Sequence, residues 1–219
     1  MSRPYDAVVF DLDGVICHTD KYHYLGWKSV ADDLGIPFDE TVNNRLRGVS
    51  RMESLEIILE KYEGEPLSDA RKDEIATIKN DRYRVMLGDM SPADLDPSVR
   101  ATLDDLRGRG LKLAIGSSSK NAKFILERIG LGGYFDEISD GTNISRSKPD
   151  PEVFLKAAQF LGVEPAKCVV IEDAVAGIEA GVAAGMYTVA IGDAADQGAG
   201  DAKLGTFADL SQVMTDLGC

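Results

Sequence analysis

The sequence predicts an α/β fold: a doubly wound, Rossmann-like parallel sheet with a helical insertion after its first strand. Three observations predict it. Four short runs of strand length are nearly continuous in hydrophobicity, as strands buried on both faces of a parallel sheet are. Amphipathic helical patterns lie between them, which implies βαβ units. A long, charge-rich stretch with helical periodicity and no convincing strand follows the first run at once.

The first strand is Ala7-Val8-Val9-Phe10. Beyond it, Val30 and Leu34, then Leu55, Ile58 and Leu59, keep helical spacing. Ser91-Pro92 and Asp96-Pro97 punctuate the return. The expected division is therefore a core of residues 1–16 and 92–219, and a helical domain of residues 17–91. Val99, Leu103 and Leu106 mark a helix that Gly110 follows, then comes the strand Leu111-Lys112-Leu113-Ala114-Ile115. A helix is expected at Asn121–Ile129, and another where Phe154, Ala157, Ala158 and Leu161 precede Gly162. Cys168-Val169-Val170-Ile171 and Tyr187-Thr188-Val189-Ala190-Ile191 are the remaining strands. The Gly/Ala/Asp stretch Asp193–Asp201 reads as a surface loop.

The 219 residues suffice for one good-sized core plus a smaller inserted domain. Net charge is -13, with 37 acidic against 24 basic residues. Such a surface repels nucleic acid and anionic lipid, so neither is an expected partner. An acidic protein that binds an anion must concentrate positive charge locally. No apolar run approaches the ~20 residues of a membrane helix, and the first residues do not resemble a signal peptide, so the expected location is cytoplasmic. Cys17, Cys168 and Cys219 have neither metal-ligand spacing nor a disulfide framework, and read as reduced thiols.

Each apolar run ends in polar residues, and parallel strands put these ends on one edge, where ligands bind. Asp11-Leu12-Asp13-Gly14 ends the first run and Glu172-Asp173 the third. One aspartate after a strand reads as a helix cap. Four acidic groups at two strand ends repel one another and read as a site for a hard cation; Mg²⁺ suits one that also holds phosphate. Ser117-Ser118-Ser119, between a strand and a helix, offers hydroxyls and amides to an anion. Lys148, between serine and proline in Ser147-Lys148-Pro149-Asp150-Pro151, sits in a stiff segment suited to hold it against carboxylate and phosphate.

Together these motifs resemble the haloacid dehalogenase superfamily. Asp11-x-Asp13-Gly14-Val15 is similar to its first motif, Ser117 to its second, Lys148 to its third, and Glu172-Asp173 with Ala176-Gly177-Ile178 to its fourth. The insertion resembles the helical cap of one subclass. The resemblance implies that Asp11 is the nucleophile and forms an aspartyl phosphate, that Asp13 is the general acid/base, and that Ser117 and Lys148 spread the developing charge. It implies Mg²⁺ ligands Asp11, the backbone carbonyl of Asp13, and Glu172 with Asp173.

Within the superfamily the cap resembles the β-phosphoglucomutase branch. The resemblance rests on His23 and Trp27, on Gly48-Val49-Ser50-Arg51 with Ser54, and on Lys79-Asn80. Ser117-Ser118-Ser119-Lys120-Asn121 is similar to the branch's core phosphate loop, and Arg47 stands where lysine is expected. His18 departs from the acidic residue common after the first motif. Taken singly, His23 also reads as a half-buried histidine, Trp27 as cap core, and Arg51 as a solvated charge at a helix start. What the branch implies is interconversion of β-D-glucose 1-phosphate and glucose 6-phosphate, with β-glucose 1,6-bisphosphate as intermediate and activator. The expected partner is a small sugar phosphate and the expected state a monomer. A sugar-phosphate phosphatase of the same subclass is the alternative, since it shares every core residue. A receiver module also uses phospho-Asp, Mg²⁺ and Lys, but is shorter and has no cap.

Overall fold

The computed structural model describes residues 4–46 and 49–219. Six parallel strands form one sheet, β1 (Ala7–Phe10), β2 (Lys112–Gly116), β3 (Glu137–Ser139), β4 (Cys168–Glu172), β5 (Tyr187–Ala190) and β6 (Ala202–Lys203), in the order β3-β2-β1-β4-β5-β6. The chain builds outward from β1 to β3, then returns to β1's other side for β4. The edge of β1 and β4 is thus the switch point where ligands collect in open α/β sheets. Val9 pairs with Ala114 on one side and Val170 on the other.

Side chains along each strand alternate between two faces. Val8 and Phe10, with Leu113, Ile115, Val169 and Ile171, pack under α5 (Pro97–Gly108), α6 (Ala122–Arg128) and α10 (Leu210–Asp216). Ala7 and Val9, with Ala114, Cys168 and Val170, pack against α7 (Glu152–Leu161) and α8 (Val175–Ala183). Both faces are buried, so the strands read as continuous apolar runs rather than alternating ones.

The insertion after β1 is helical, as its periodicity predicts: α1 (Asp20–Asp33), α2 (Glu40–Asn44), α3 (Arg51–Leu59) and α4 (Asp69–Leu87). Trp27, Val30, Leu55, Ile58 and Ile75 give these helices a hydrophobic cluster of their own. Side chains of Asp39, Ser50 and Ser68 cap α2, α3 and α4, and Glu53 completes a capping box with Ser50. The end of α4 is different: Tyr83 and Leu87 are buried in the cluster beneath the sheet.

Three elements differ from expectation. β3 and β6 are edge strands of three and two residues, too short and too exposed to carry an apolar signature. The stretch expected to be a loop begins with a short helix, α9 (Gly192–Asp196), held by Ala194 packed on Ile178 and Ala190. Five residues are too few for periodicity to show. No described helix is long and apolar enough to cross a membrane.

Leu106 is fully buried between α5 and the sheet. Leu106→Ala is expected to cost about 2–5 kcal/mol, read as a lower urea midpoint at an unchanged slope.

Candidate active site

The strand ends at the switch point carry the acidic groups. Asp11 follows β1 directly, and its amide donates to the Ile171 carbonyl of β4 (2.9 Å). Glu172 closes β4, with Asp173 next. Lys148 arrives from the loop between β3 and α7. Its ammonium donates to Asp11 Oδ1 (2.5 Å) and Glu172 Oε1 (2.6 Å) and lies 4.8 Å from the centre of the Phe154 ring. Glu172 Oε2 accepts from the Ala174 amide (2.7 Å), so both its oxygens are engaged. Burial opposes the charge of Lys148, but Asp11 and Glu172 more than offset it and raise its pKa.

Asp11, Glu172 and Asp173 bring carboxylate oxygens within 4.8 Å of one another, with the Lys148 ammonium opposing them among the described residues. Burial pushes Asp173 up to about 9, with Glu172 and Asp11 adding repulsion. Asp11 is pushed up to about 7, mainly by burial, against the pull of Lys148. Such an all-oxygen, under-neutralised set fits a hard divalent cation such as Mg²⁺. Two glycines make room for these carboxylates. Gly14 turns the chain at φ 92°, and a Cβ there would stand 2.1 Å from Asp173 Oδ2. A Cβ on Gly177 would stand 1.9 Å from Glu172 Oε1. The Asp13 carboxylate lies outside this cluster and accepts from the Thr19 hydroxyl; burial raises its pKa.

Beyond β2, the hydroxyls of Ser117 and Ser119 accept from the amides of Ser119 (3.1 Å) and Asn121 (3.2 Å), and the Ser117 amide donates to Ser139 (3.1 Å). The expected anion cradle is therefore already partly committed to its own loop. Ser118 keeps a buried hydroxyl with no partner among the described residues. The Lys148 loop is tied down by Glu152. Its carboxylate accepts from the Ser145 amide and hydroxyl and from the Arg146 amide, and pairs with Lys156 (2.8 Å).

The helices supply the facing wall. Arg51 Nη2 and Asn121 Nδ2 both donate to Asn80 Oδ1, at 2.8 and 2.9 Å, so one amide on α4 joins α3 to the loop after β2. Lys79 is buried, with its ammonium 4.9 Å from the Trp27 ring centre, 4.4 Å from that of Tyr83, and 3.2 Å from His23 Nδ1. Burial, with Arg51's charge, pushes Lys79 down to about 7 while Asp13 pulls it up. Burial and the charges of Lys79 and Arg51 lower His23 well below its ordinary value. The two walls enclose a cavity of about 600 Å³.

Residues 5–185 match the family model described as haloacid dehalogenase-like hydrolase. The chain belongs to that family. It is an enzyme, 44% identical over 192 residues to a beta-phosphoglucomutase of Bacillus subtilis, a match spanning 85% of this chain and 83% of that one. A phosphorylated carbohydrates phosphatase of Thermotoga maritima is 32% identical over 186 residues, spanning 84% and 83%. The solved structure of a beta-phosphoglucomutase from Clostridium difficile superposes with a TM-score of 0.91 at 35% identity, covering 98% of this chain and 97% of that one.

In this member of the haloacid dehalogenase family, all described residues picked out in the sequence line the one cavity: the acidic set, Ser117 to Asn121, Lys148, His23, Trp27, Val49, Ser50, Arg51, Ser54, Lys79 and Asn80. Arg47 and Gly48 lie outside the described residues. The alternative readings of His23 and Trp27 hold alongside: His23 is half-buried, and Trp27 belongs to the hydrophobic cluster of the inserted helices. The Ser50 hydroxyl is committed to its helix. Arg51 is not a solvated charge, being half-buried and paired. Thr19 and Tyr83 were missed. Thr19 precedes a helix and reads as its cap, but its hydroxyl turns to Asp13 instead. Tyr83 follows ordinary helical periodicity, and nothing in the sequence marks it. Cys17 and Cys168 are buried free thiols whose pKa burial raises, Cys168 to about 11, which makes them poor nucleophiles.

Glu152 is held down at about 2 by Lys156, Ser145 and the loop amides, against an ordinary 4.5. A carboxyl lowered on folding stabilises the fold above its unfolded value and loses that effect as pH falls through its folded value. Glu152→Gln is expected to be less stable than wild type at neutral pH, the gap closing between about pH 4.5 and 2. Urea midpoints across that range measure it; a gap independent of pH would deny the carboxylate this role.

Proposed function

We propose that this enzyme interconverts β-D-glucose 1-phosphate and glucose 6-phosphate through a phosphorylated Asp11 and β-glucose 1,6-bisphosphate. In this reading residues 17–91 act as a cap domain over a core of residues 1–16 and 92–219. The observation that carries it is a single cavity with two cationic poles, Lys148 beside Asp11 and Arg51 beside Asn80 and Asn121. A phosphatase has to hold only the phosphate being transferred, whereas a mutase binds a bisphosphate in two orientations. The 44% identity to a beta-phosphoglucomutase supports the same reading.

Asp11, Asp173, Glu172 and the backbone carbonyl of Asp13 would hold Mg²⁺, which supplies charge neutralisation to the transferring phosphoryl group. Lys148 holds Asp11 aimed, and with the Ser117 and Ser118 hydroxyls it neutralises the phosphoryl oxygens. An oxygen of Asp11 attacks phosphorus, and the bond from phosphorus to the sugar oxygen breaks. Asp13, kept protonatable by burial and oriented by Thr19, gives that oxygen its proton. In reverse, Asp13 takes the proton from a sugar hydroxyl as it attacks phospho-Asp11. In this reading His23, Trp27 and Lys79 flank the sugar, while Arg51, Ser119, Lys120 and Asn121, with Val49, Ser50 and Ser54, surround the distal phosphate.

A sugar-phosphate phosphatase is the second reading, supported by the Thermotoga maritima relative. Incubation with β-glucose 1-phosphate, Mg²⁺ and the priming bisphosphate separates the two, as glucose 6-phosphate marks a mutase and mainly inorganic phosphate a phosphatase. Asp11→Asn and chelation of Mg²⁺ are each expected to abolish turnover while the fold survives. Near-normal activity of Asp11→Asn would refute the nucleophile assignment.

Arg51 binds phosphate only while the helices face the core, so its loss is expected to harm transfer to sugar more than hydrolysis. Arg51→Ala should reduce glucose 6-phosphate formation severely and leave slow hydrolysis of phospho-Asp11 largely intact. Following both products in one reaction checks this; equal loss of both would make Arg51 structural.

A further inference from the structure

The inserted helices meet the strand core along a seam that starts at the cavity and runs away from it. Asn80 Oδ1 on α4 accepts from Asn121 Nδ2 (2.9 Å), just before α6. One turn further along each helix, the Arg84 guanidinium lies 4.9 Å from the centre of the Phe124 ring. A turn beyond that, Arg128 donates to the carbonyls of Gly88 and Met90, the latter at 2.9 Å. Positions 80, 84 and 88 form one stripe of α4 and its C-terminal end, and 121, 124 and 128 one stripe of α6. The stripes meet rung by rung in the same chain order.

The rungs differ in kind. At Gly88 and Met90 the chain itself returns to the core, and Arg128 ties that return, so this end is the pivot. At the cavity end Asn80 also holds Arg51. Arg84 stands between them. It is exposed and does not line the cavity, whereas Phe124 is half-buried against the core. Arg84 therefore touches no ligand in the cavity and acts on it only through α4. A cation over an aromatic face at an exposed site shifts an equilibrium roughly twofold to fivefold, which suits a contact that breaks and re-forms.

We propose that Arg84 is a positioning residue for phosphoryl transfer: over Phe124 it holds α4 against α6, which keeps Asn80 on Asn121 and Arg51 within reach of the distal phosphate. This rests on the mutase reading. A bisphosphate that binds in two orientations has to leave one before it takes the other, so the walls part and close within each cycle. Transfer to sugar takes place with the walls together, and hydrolysis of phospho-Asp11 when they part and admit water. The ratio of the two therefore follows the closed-to-open equilibrium, whichever state predominates.

Arg84→Ala removes the cation. Phe124→Leu removes the ring and keeps an apolar side chain against the core. Glucose 6-phosphate formation and phosphate release from phospho-Asp11 are followed in one reaction. The transfer-to-hydrolysis ratio should fall roughly twofold to fivefold in each variant, with no further loss in the double variant. Arg84→Lys, which keeps a cation, should retain part of the ratio. Trp27, the one tryptophan of the chain, lines the cavity and is 2% exposed, so acrylamide quenching of its fluorescence reads opening without any reaction. Quenching should rise in both single variants. An unchanged ratio with unchanged quenching would overturn the proposal, as would losses that add in the double variant, the pattern of two residues acting separately. So would a lowered Tm with the ratio intact, the mark of a charge that only steadies the end of α4. A wild type that forms no glucose 6-phosphate sinks the mutase reading and the role in transfer with it; quenching that rises in that case still upholds the contact's grip on the inserted helices.

Discussion

The buried ammonium of Lys148, bonded to Asp11 and Glu172 at once, is the interaction on which the rest of the site depends. It joins the ends of β1 and β4, which would otherwise present like charges to each other in a desolvated space. Removing one partner of such a pair typically costs about 3–5 kcal/mol, because the charge left behind is uncompensated. Much of the surrounding chain serves this lysine. Phe154 lies beneath it, Glu152 ties its loop, and Gly177 leaves the Glu172 carboxylate its space.

The pair also leaves the site short of positive charge. Lys148 opposes three carboxylates, and the shortfall shows as the raised pKa of Asp11 and Asp173. In a chain of net charge -13, an anionic ligand is attracted only where positive charge is gathered. The cavity gathers it at Lys148, Lys79, Arg51 and Lys120. Lys79 sits between two aromatic faces, which hold a cation without the full neutralisation of a carboxylate.

The two walls are joined through α4. Asn80 bonds Arg51 on α3 and Asn121 before α6, while Tyr83 and Leu87 reach the core beneath the sheet. One helix therefore registers the wall of the inserted helices against the wall of the strand ends. In the proposed reaction such closure would exclude water from phospho-Asp11, which is the physical condition for sugar to compete with water as acceptor.

The central strands were legible in the sequence because burial on both faces makes their residues apolar without interruption, and the acidic motifs because strand ends share an edge. The helical insertion was legible from periodicity. The edge strands β3 and β6 and the short helix α9 were not, since few residues and partial exposure leave no pattern. Residue chemistry by itself determined which groups could act: a run of carboxylates, a lysine in a stiff turn, an arginine at a helix start. Tertiary structure decided with whom each is paired. The Ser117 and Ser119 hydroxyls proved to be bound within their own loop, Thr19 to serve Asp13 rather than its helix, and Tyr83 to pack on His23 and Lys79. Hydrogen bonds and ion pairs depend on distances of a few tenths of an ångström between groups far apart in the chain, 137 residues for Lys148 and Asp11, and no local pattern encodes them.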